Sequence, residues 1–180
     1  MAAAIRYARE YAAARAASLE PGGLVIAVVV NGEPVVVEGW GQADATSERP
    51  LTADSPLRIG SITKLLTALA VVHLAEQGTV GLWAPISSYL PELAAHPEIA
   101  VRDLLSHHSG LPANVLNGGR AGALEPGGEP RSAGTAAAWR TRYRELVNTA
   151  ARTPAAWPPR TVFAYSNLGY GLLGSLIEVA

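Results

Sequence analysis

Cysteine is absent from the 180 residues, which excludes disulfides, thiol nucleophiles and zinc–thiolate sites. Charge is scarce as well. Only 16% of residues are charged, the net charge is −1 and the pI is near 6.4, so a basic nucleic-acid surface or a polybasic membrane anchor is excluded. Four histidines leave little for a metal centre, and no cofactor motif is expected. The longest apolar runs, residues 24–30 and 65–72, fall well short of the ~20 residues that span a bilayer. Lysine is nearly missing: of 14 basic residues 13 are arginine, and Lys64 stands alone. What remains is apolar. A hydrophobic content of 49% excludes disorder and predicts a sizeable core, in one domain or two small lobes sharing one.

Residues 2–19 carry Arg6, Arg9, Glu10 and Arg15 where an export signal would be uninterruptedly apolar, so a cytoplasmic location is expected. Ile5, Ala8, Ala12, Ala16 and Leu19 recur at helical spacing, and Pro21-Gly22-Gly23 closes the run. Residues 24–30 (LVIAVVV) and 35–40 (VVVEGW) flank Asn31-Gly32, whose positive φ angles suit a tight hairpin turn. The first strand is apolar on both faces, which predicts a sheet covered on both sides. After Gly60 comes SITKLLTALAVVHLAEQ. Its apolar residues Ile62, Leu65, Leu66, Leu69, Val72 and Leu74 cover most of the circumference, so the expected helix lies deep inside the protein, with Gly78 as its stop.

Prolines 85, 91 and 97 break the next stretch into short helical pieces, followed by a helix over 100–106. Residues 117–134, rich in glycine and proline, read as a flexible excursion. Trp139, Tyr143, Leu146, Val147 and Ala150 mark an amphipathic helix with Arg140 and Arg144 outward. A proline-rich turn then leads to Tyr165-Ser166-Asn167 and a last helix. The division expected is residues 1–60, a helix and hairpin, and 61–180, a nucleophile helix with a mostly helical region.

Two constellations carry chemistry. In Ser61-Ile62-Thr63-Lys64 a serine opens a helix and a lysine three residues on shares its face, so the amine reaches the hydroxyl. With 11 serines, one randomly placed lysine lands there about 6% of the time against background usage. Arginine cannot give up its proton, whereas a lysine buried beside an apolar helix can serve as a base. The bland alternative is a snorkelling lysine. In Tyr165-Ser166-Asn167, a neighbouring ammonium can lower the phenol's pKa, and Asn167 offers a donor and an acceptor. Its bland alternative is a core aromatic followed by a helix cap.

The blocks LRIGSITKLLTALAVVHLAEQG, VRDLLSHHSGLP and VFAYSNLGYGLLGSLIE, in that order, resemble the serine β-lactamase-related family. That family includes class C β-lactamases, D-alanyl-D-alanine carboxypeptidases and esterases of the same fold. The resemblance implies an α+β, β-lactamase/transpeptidase-like fold: an antiparallel sheet flanked by helices, with an inserted helical region. It implies Ser61 as nucleophile, Lys64 as its base, Tyr165 as proton carrier for the leaving group and Asn167 as a substrate-orienting residue. It also implies that His107 and Gly110 shape a turn. The family's third box, Lys- or His-Thr/Ser-Gly, should follow the tyrosine motif, and here only a helix does; His108-Ser109-Gly110 has its letters in another block. Arg160 stands where the family usually has glycine, and His108 where it has threonine.

The resemblance covers the front half of the family fold. The expectation is a truncated, weakly active serine hydrolase whose incomplete sheet exposes an apolar edge open to self-association. Lack of the second oxyanion donor would cost about 10²–10³ in rate. The substrate class is a small-molecule ester or amide, with β-lactam or D-alanyl-D-alanine peptide as alternatives, and an inert binding module as the non-enzyme reading. Two further patterns are set aside. Gly169-Tyr170-Gly171-Leu172-Leu173-Gly174 spells a dinucleotide fingerprint without its βαβ context, and Asp103, His107 and Ser109 are too close in sequence to form a triad.

Overall fold

A computed structural model describes residues 2–19, 22–44, 49–113 and 136–180, with the backbone alone for 136–140 and 142. The excursion expected over 117–134 and the side chains of Trp139 and Arg140 lie outside the described residues. The chain forms two compact units, Met1–Arg58 and Ile59–Ala180.

In the first unit, helix α1 (Ala2–Ala17) packs on a hairpin of β1 (Gly23–Val30) and β2 (Glu33–Gly41). Asn31 and Gly32 both take positive φ, 51° and 85°, which matches the twist of the strands they join. Pairing is antiparallel, with Val28 opposite Val36 and an irregularity between Val28 and Val29. Ala12 and Ala16 of α1 are buried, as is Val36, and Arg9 Nε donates to the Glu38 carboxylate at 2.9 and 3.1 Å. The opposite face, with Val29, Val35 and Val37, is exposed. The expected double cover is therefore corrected in part: within this unit α1 layers one face, while on the other Leu51 and Thr52 lie over Gly23 and Gly39 and leave Val29, Val35 and Val37 uncovered.

The second unit is helical. A 3₁₀ turn (Gly60–Ile62) leads into α2 (Thr63–Glu76), then short turns at Ile86–Ser88 and Pro91–Leu93, α3 (Val101–Leu105), α4 (Ala136–Ala151) and α5 (Asn167–Val179). Helix α2 ends in a Schellman arrangement. Gly78 sits at φ 75° and donates to Ala75 O, while Thr79 donates to Leu74 O at 3.0 Å. The core centres on α5, which packs against α2, α3 and α4 and buries Leu168, Leu172, Leu173 and Leu176. Each such leucine contributes about 1.5–3 kcal/mol. Gly171 permits the close α4–α5 approach, since a Cβ there would overlap Leu146 Cδ2. At Gly169 and Gly174 a Cβ would come no closer than 3.4 Å to a neighbour, an ordinary contact.

Helix α2 departs from expectation. Val71 is fully buried against the core, but Ile62, Leu65, Leu66, Leu69 and Val72 are all at least 40% exposed. A helix apolar all round needs neighbours on every side, and the described residues supply them along one stripe. The fold is α+β, with a two-stranded antiparallel sheet that is not closed. No helix among the described residues is long and apolar enough to cross a membrane.

Candidate active site

The segment before α5 is pinned to the turn after α3. Ala164 donates to His107 O at 2.8 Å, Ser166 N–H to His107 Nδ1 at 3.1 Å, and Asn167 N–H to Ala113 O at 2.8 Å. Ser166 is the N-cap of α5. Its buried hydroxyl accepts from Gly169 N–H at 2.9 Å and donates to Pro112 O at 2.9 Å. His107 can offer both its carbonyl and its ring nitrogen because its φ is +59°. Its imidazole also lies 4.6 Å from the Tyr165 ring and 5.0 Å from the Tyr170 ring. Side chains at 165 and 167 thus point outward from a fixed backbone, while Ser166 points in.

Those two side chains meet Ser61 and Lys64. Tyr165 Oη donates to Ser61 Oγ at 2.8 Å, Lys64 Nζ lies 3.5 Å from the same oxygen, and Lys64 Nζ donates to Asn167 Oδ1 at 2.6 Å. The ammonium also sits 4.8 Å from the Tyr165 ring centroid and 5.5 Å from that of Tyr170. All four residues singled out in the sequence come together across more than a hundred positions. Lys64 is half-buried rather than submerged, in line with the one-sided cover of α2. Ser61, Tyr165 and Asn167 are exposed, so a substrate can reach them.

The electrostatics follow from the contacts. The hydrogen bond from Lys64, then that with Ser61, and the ammonium's charge hold the Tyr165 phenol below its ordinary pKa; slight burial opposes them. The Tyr170 phenol is pushed up, by burial first and by the nearby Tyr165 second. Burial, then the charges of Lys64 and His108, hold the His107 imidazole below its usual value. A neutral ring suits its role, because Nδ1 must stay unprotonated to accept from Ser166. The cluster can therefore pass protons among a hydroxyl, a phenol and an amine.

His107 and Tyr170 were not legible as neighbours of the site. Tyr170 appeared in the sequence only as a member of the 169–174 pattern, yet its hydroxyl donates to Leu105 O at 2.9 Å and its ring centroid lies 5.5 Å from Lys64 Nζ. Asp103, His107 and Ser109 are not brought together. Asp103 Oδ2 accepts from Ala100 N–H, and Ser109 Oγ accepts from Leu111 N–H. In His108-Ser109-Gly110 the serine is buried and Gly110 takes φ 76°, its carbonyl accepting from Ala156 at 2.8 Å.

A sequence profile of the Beta-lactamase family matches residues 8–180. The chain is 33% identical over 159 residues to the D-alanyl-D-alanine-carboxypeptidase/endopeptidase AmpH of Escherichia coli K12, covering 85% of this chain and 38% of that protein. It is 35% identical over 102 residues to the esterase EstB of Burkholderia gladioli, covering 53% of this chain and 26% of that protein. The octameric penicillin-binding protein homologue from Pyrococcus abyssi aligns with a TM-score of 0.69 at 26% identity, over 97% of this chain and 39% of its own. The chain spans less than half the length of these relatives.

Proposed function

The chain belongs to the Beta-lactamase family, and from that premise we propose that it is a serine hydrolase working through a Ser61 acyl-enzyme. One observation supports this reading above the rest: a phenol and the chain's only lysine converge on the Ser61 hydroxyl, at 2.8 and 3.5 Å. In the proposed cycle, Lys64 as the free amine accepts the Ser61 proton while Oγ attacks the substrate carbonyl carbon. The C–O bond to Ser61 forms as the carbonyl becomes an oxyanion. Collapse then breaks the bond to the leaving group, which takes its proton from Tyr165. Water enters, a base of the same cluster removes its proton, and the acid is released with Ser61 restored. Asn167 holds Lys64 through its Oδ1 and presents its amide to the substrate.

A second assignment of the base has an observation of its own. Tyr165 is nearer to Ser61 Oγ than Lys64 is, and its phenol is held below the ordinary value, so a phenolate at 2.8 Å can take the serine proton directly. Lys64 then acts by stabilising that phenolate.

The proposed substrate is a small-molecule ester or amide; a β-lactam or a D-alanyl-D-alanine peptide is the alternative. A panel of p-nitrophenyl esters against a chromogenic β-lactam separates these. Reaction with a fluorophosphonate followed by peptide mass mapping tests the nucleophile. One adduct on Ser61, lost in Ser61→Ala, is expected; labelling elsewhere or none overturns the assignment. We also propose that copies of the chain self-associate at the hairpin, because each strand has one edge without a partner strand among the described residues. Sedimentation should show mass rising with concentration, and a monomer throughout rejects it.

A further inference from the structure

Away from Ser61, the second unit holds an open cavity of about 420 Å³ lined by Arg102, Asp103, Ser106, His108 and Arg160. Its charges do not balance. The buried Asp103 carboxylate accepts from Ala100 N–H at 3.0 Å and from Arg160 Nη1 at 3.3 Å, while Arg102 Nε stands 3.6 Å from its other oxygen. Two guanidiniums face one carboxylate, which leaves one positive charge in excess. Arg102 Nε is buried and has no hydrogen-bond partner. Its charge is paired with Asp103 across 3.6 Å, and the rest of the Arg102 side chain, like that of Arg160, reaches the surface of the cavity.

The cations are also held in place. Arg102 lies 3.5 Å from the centroid of the Trp83 ring, a stack that fixes its plane without using its N–H donors. Arg160 takes φ 67°, a conformation that costs a long side chain roughly 1–3 kcal/mol and that glycine adopts freely. Its backbone N–H donates to His108 O at 2.7 Å, which ties it to a second residue lining the cavity. His108 Nδ1 is committed to the Ser106 carbonyl at 2.8 Å and lies 3.2 Å from its hydroxyl. A strained arginine at a cavity where two guanidiniums share one carboxylate suits an anionic partner.

We infer that the cavity between Arg102 and Arg160 binds the oxyanion group, carboxylate or phosphate, of a small molecule. Planar guanidinium forks meet such groups with paired, charge-assisted hydrogen bonds, and the part-exposed Arg102 and Arg160 side chains present two such forks to the cavity. The ligand completes the charge count that Asp103 leaves short. No residue of this cavity belongs to the Ser61 cluster, so the inference stands apart from the hydrolase reading.

The test titrates the chain with sodium phosphate and, separately, sodium acetate, against sodium chloride at matched ionic strength. Imidazole NMR resonances and tryptophan fluorescence report on His108 and Trp83. A saturable response to either oxyanion beyond that of chloride is expected, and the anion that gives it identifies the ligand class. Arg160→Gly should weaken it about tenfold or more. That variant suits the left-handed backbone but gives up the Arg160 contact with the buried Asp103, so its folding is read by circular dichroism alongside the titration. Arg102→Gln should weaken it similarly; if it does not fold, Arg160→Gly alone decides. A response no different from chloride, or a saturable one unchanged in Arg160→Gly, overturns the inference.

Discussion

Replacing Tyr165 by phenylalanine removes one oxygen and little else. The ring keeps its place 4.6 Å from His107 and 4.8 Å from the Lys64 ammonium, and with 43% of the residue exposed no core contact is lost. What disappears is the hydrogen bond to Ser61 Oγ at 2.8 Å. If Tyr165 protonates the leaving group, the loss depends on that group. An amide or alkyl ester must depart with a proton, and general acid catalysis is worth about 10²–10⁴, or roughly 2.7–5.5 kcal/mol. A p-nitrophenyl ester departs as a stable anion and needs no such proton. The assay is kcat/KM for Tyr165→Phe on matched amide and p-nitrophenyl ester substrates. The amide rate should fall by about 10²–10⁴ while the activated ester stays within about tenfold of the parent. Equal losses on both would make the phenol the base for Ser61. No loss on either would place Tyr165 outside the chemistry and sink the proposed site.

Lys64→Arg should lower acylation by about 10²–10⁴, because arginine keeps its proton, with an unchanged circular dichroism spectrum; retained labelling of Ser61 contradicts a role for the amine. In a titration followed by tyrosine absorbance, one phenol should ionise below the ordinary value near 10. That step should vanish in Tyr165→Phe and move upward in Lys64→Met, since Lys64 is its main cause. His107 titrates lower in the folded chain than in the unfolded one, so the unfolded state binds protons first as pH falls. Its contribution to stability is full above about pH 6.5 and is lost as pH drops through the folded value. The melting temperature should decline over that window, and His107→Gln should flatten the decline. Gly78 and Gly110 share φ near 75°, but only at Gly110 would a Cβ overlap a backbone atom, Trp157 O. Gly78→Ala should cost about 1 kcal/mol and Gly110→Ala clearly more, read by chemical denaturation.

The parts of this protein that were legible in its sequence are those decided by local rules. Asn31-Gly32 announced a turn because only positive φ closes a two-residue hairpin, and both residues adopt it. Serine and lysine three apart share a helical face whatever surrounds them, so Ser61 and Lys64 could be paired in advance. The lone lysine among 13 arginines marked a side chain that the fold brings to Ser61 and Asn167. What was misread depended on what lies opposite an element, which periodicity does not carry. An apolar circumference fixes how much cover α2 requires, and whether described neighbours supply it is a tertiary matter; they do so along the Val71 stripe only. The same limit hid His107. As a helix-end residue it had a sufficient local explanation, yet its positive φ turns both its carbonyl and its ring toward residues 164 and 166. The phenol of Tyr165 reaches Ser61 because its backbone is tied to that one turn, a long-range constraint written in hydrogen bonds rather than in any pattern of side chains.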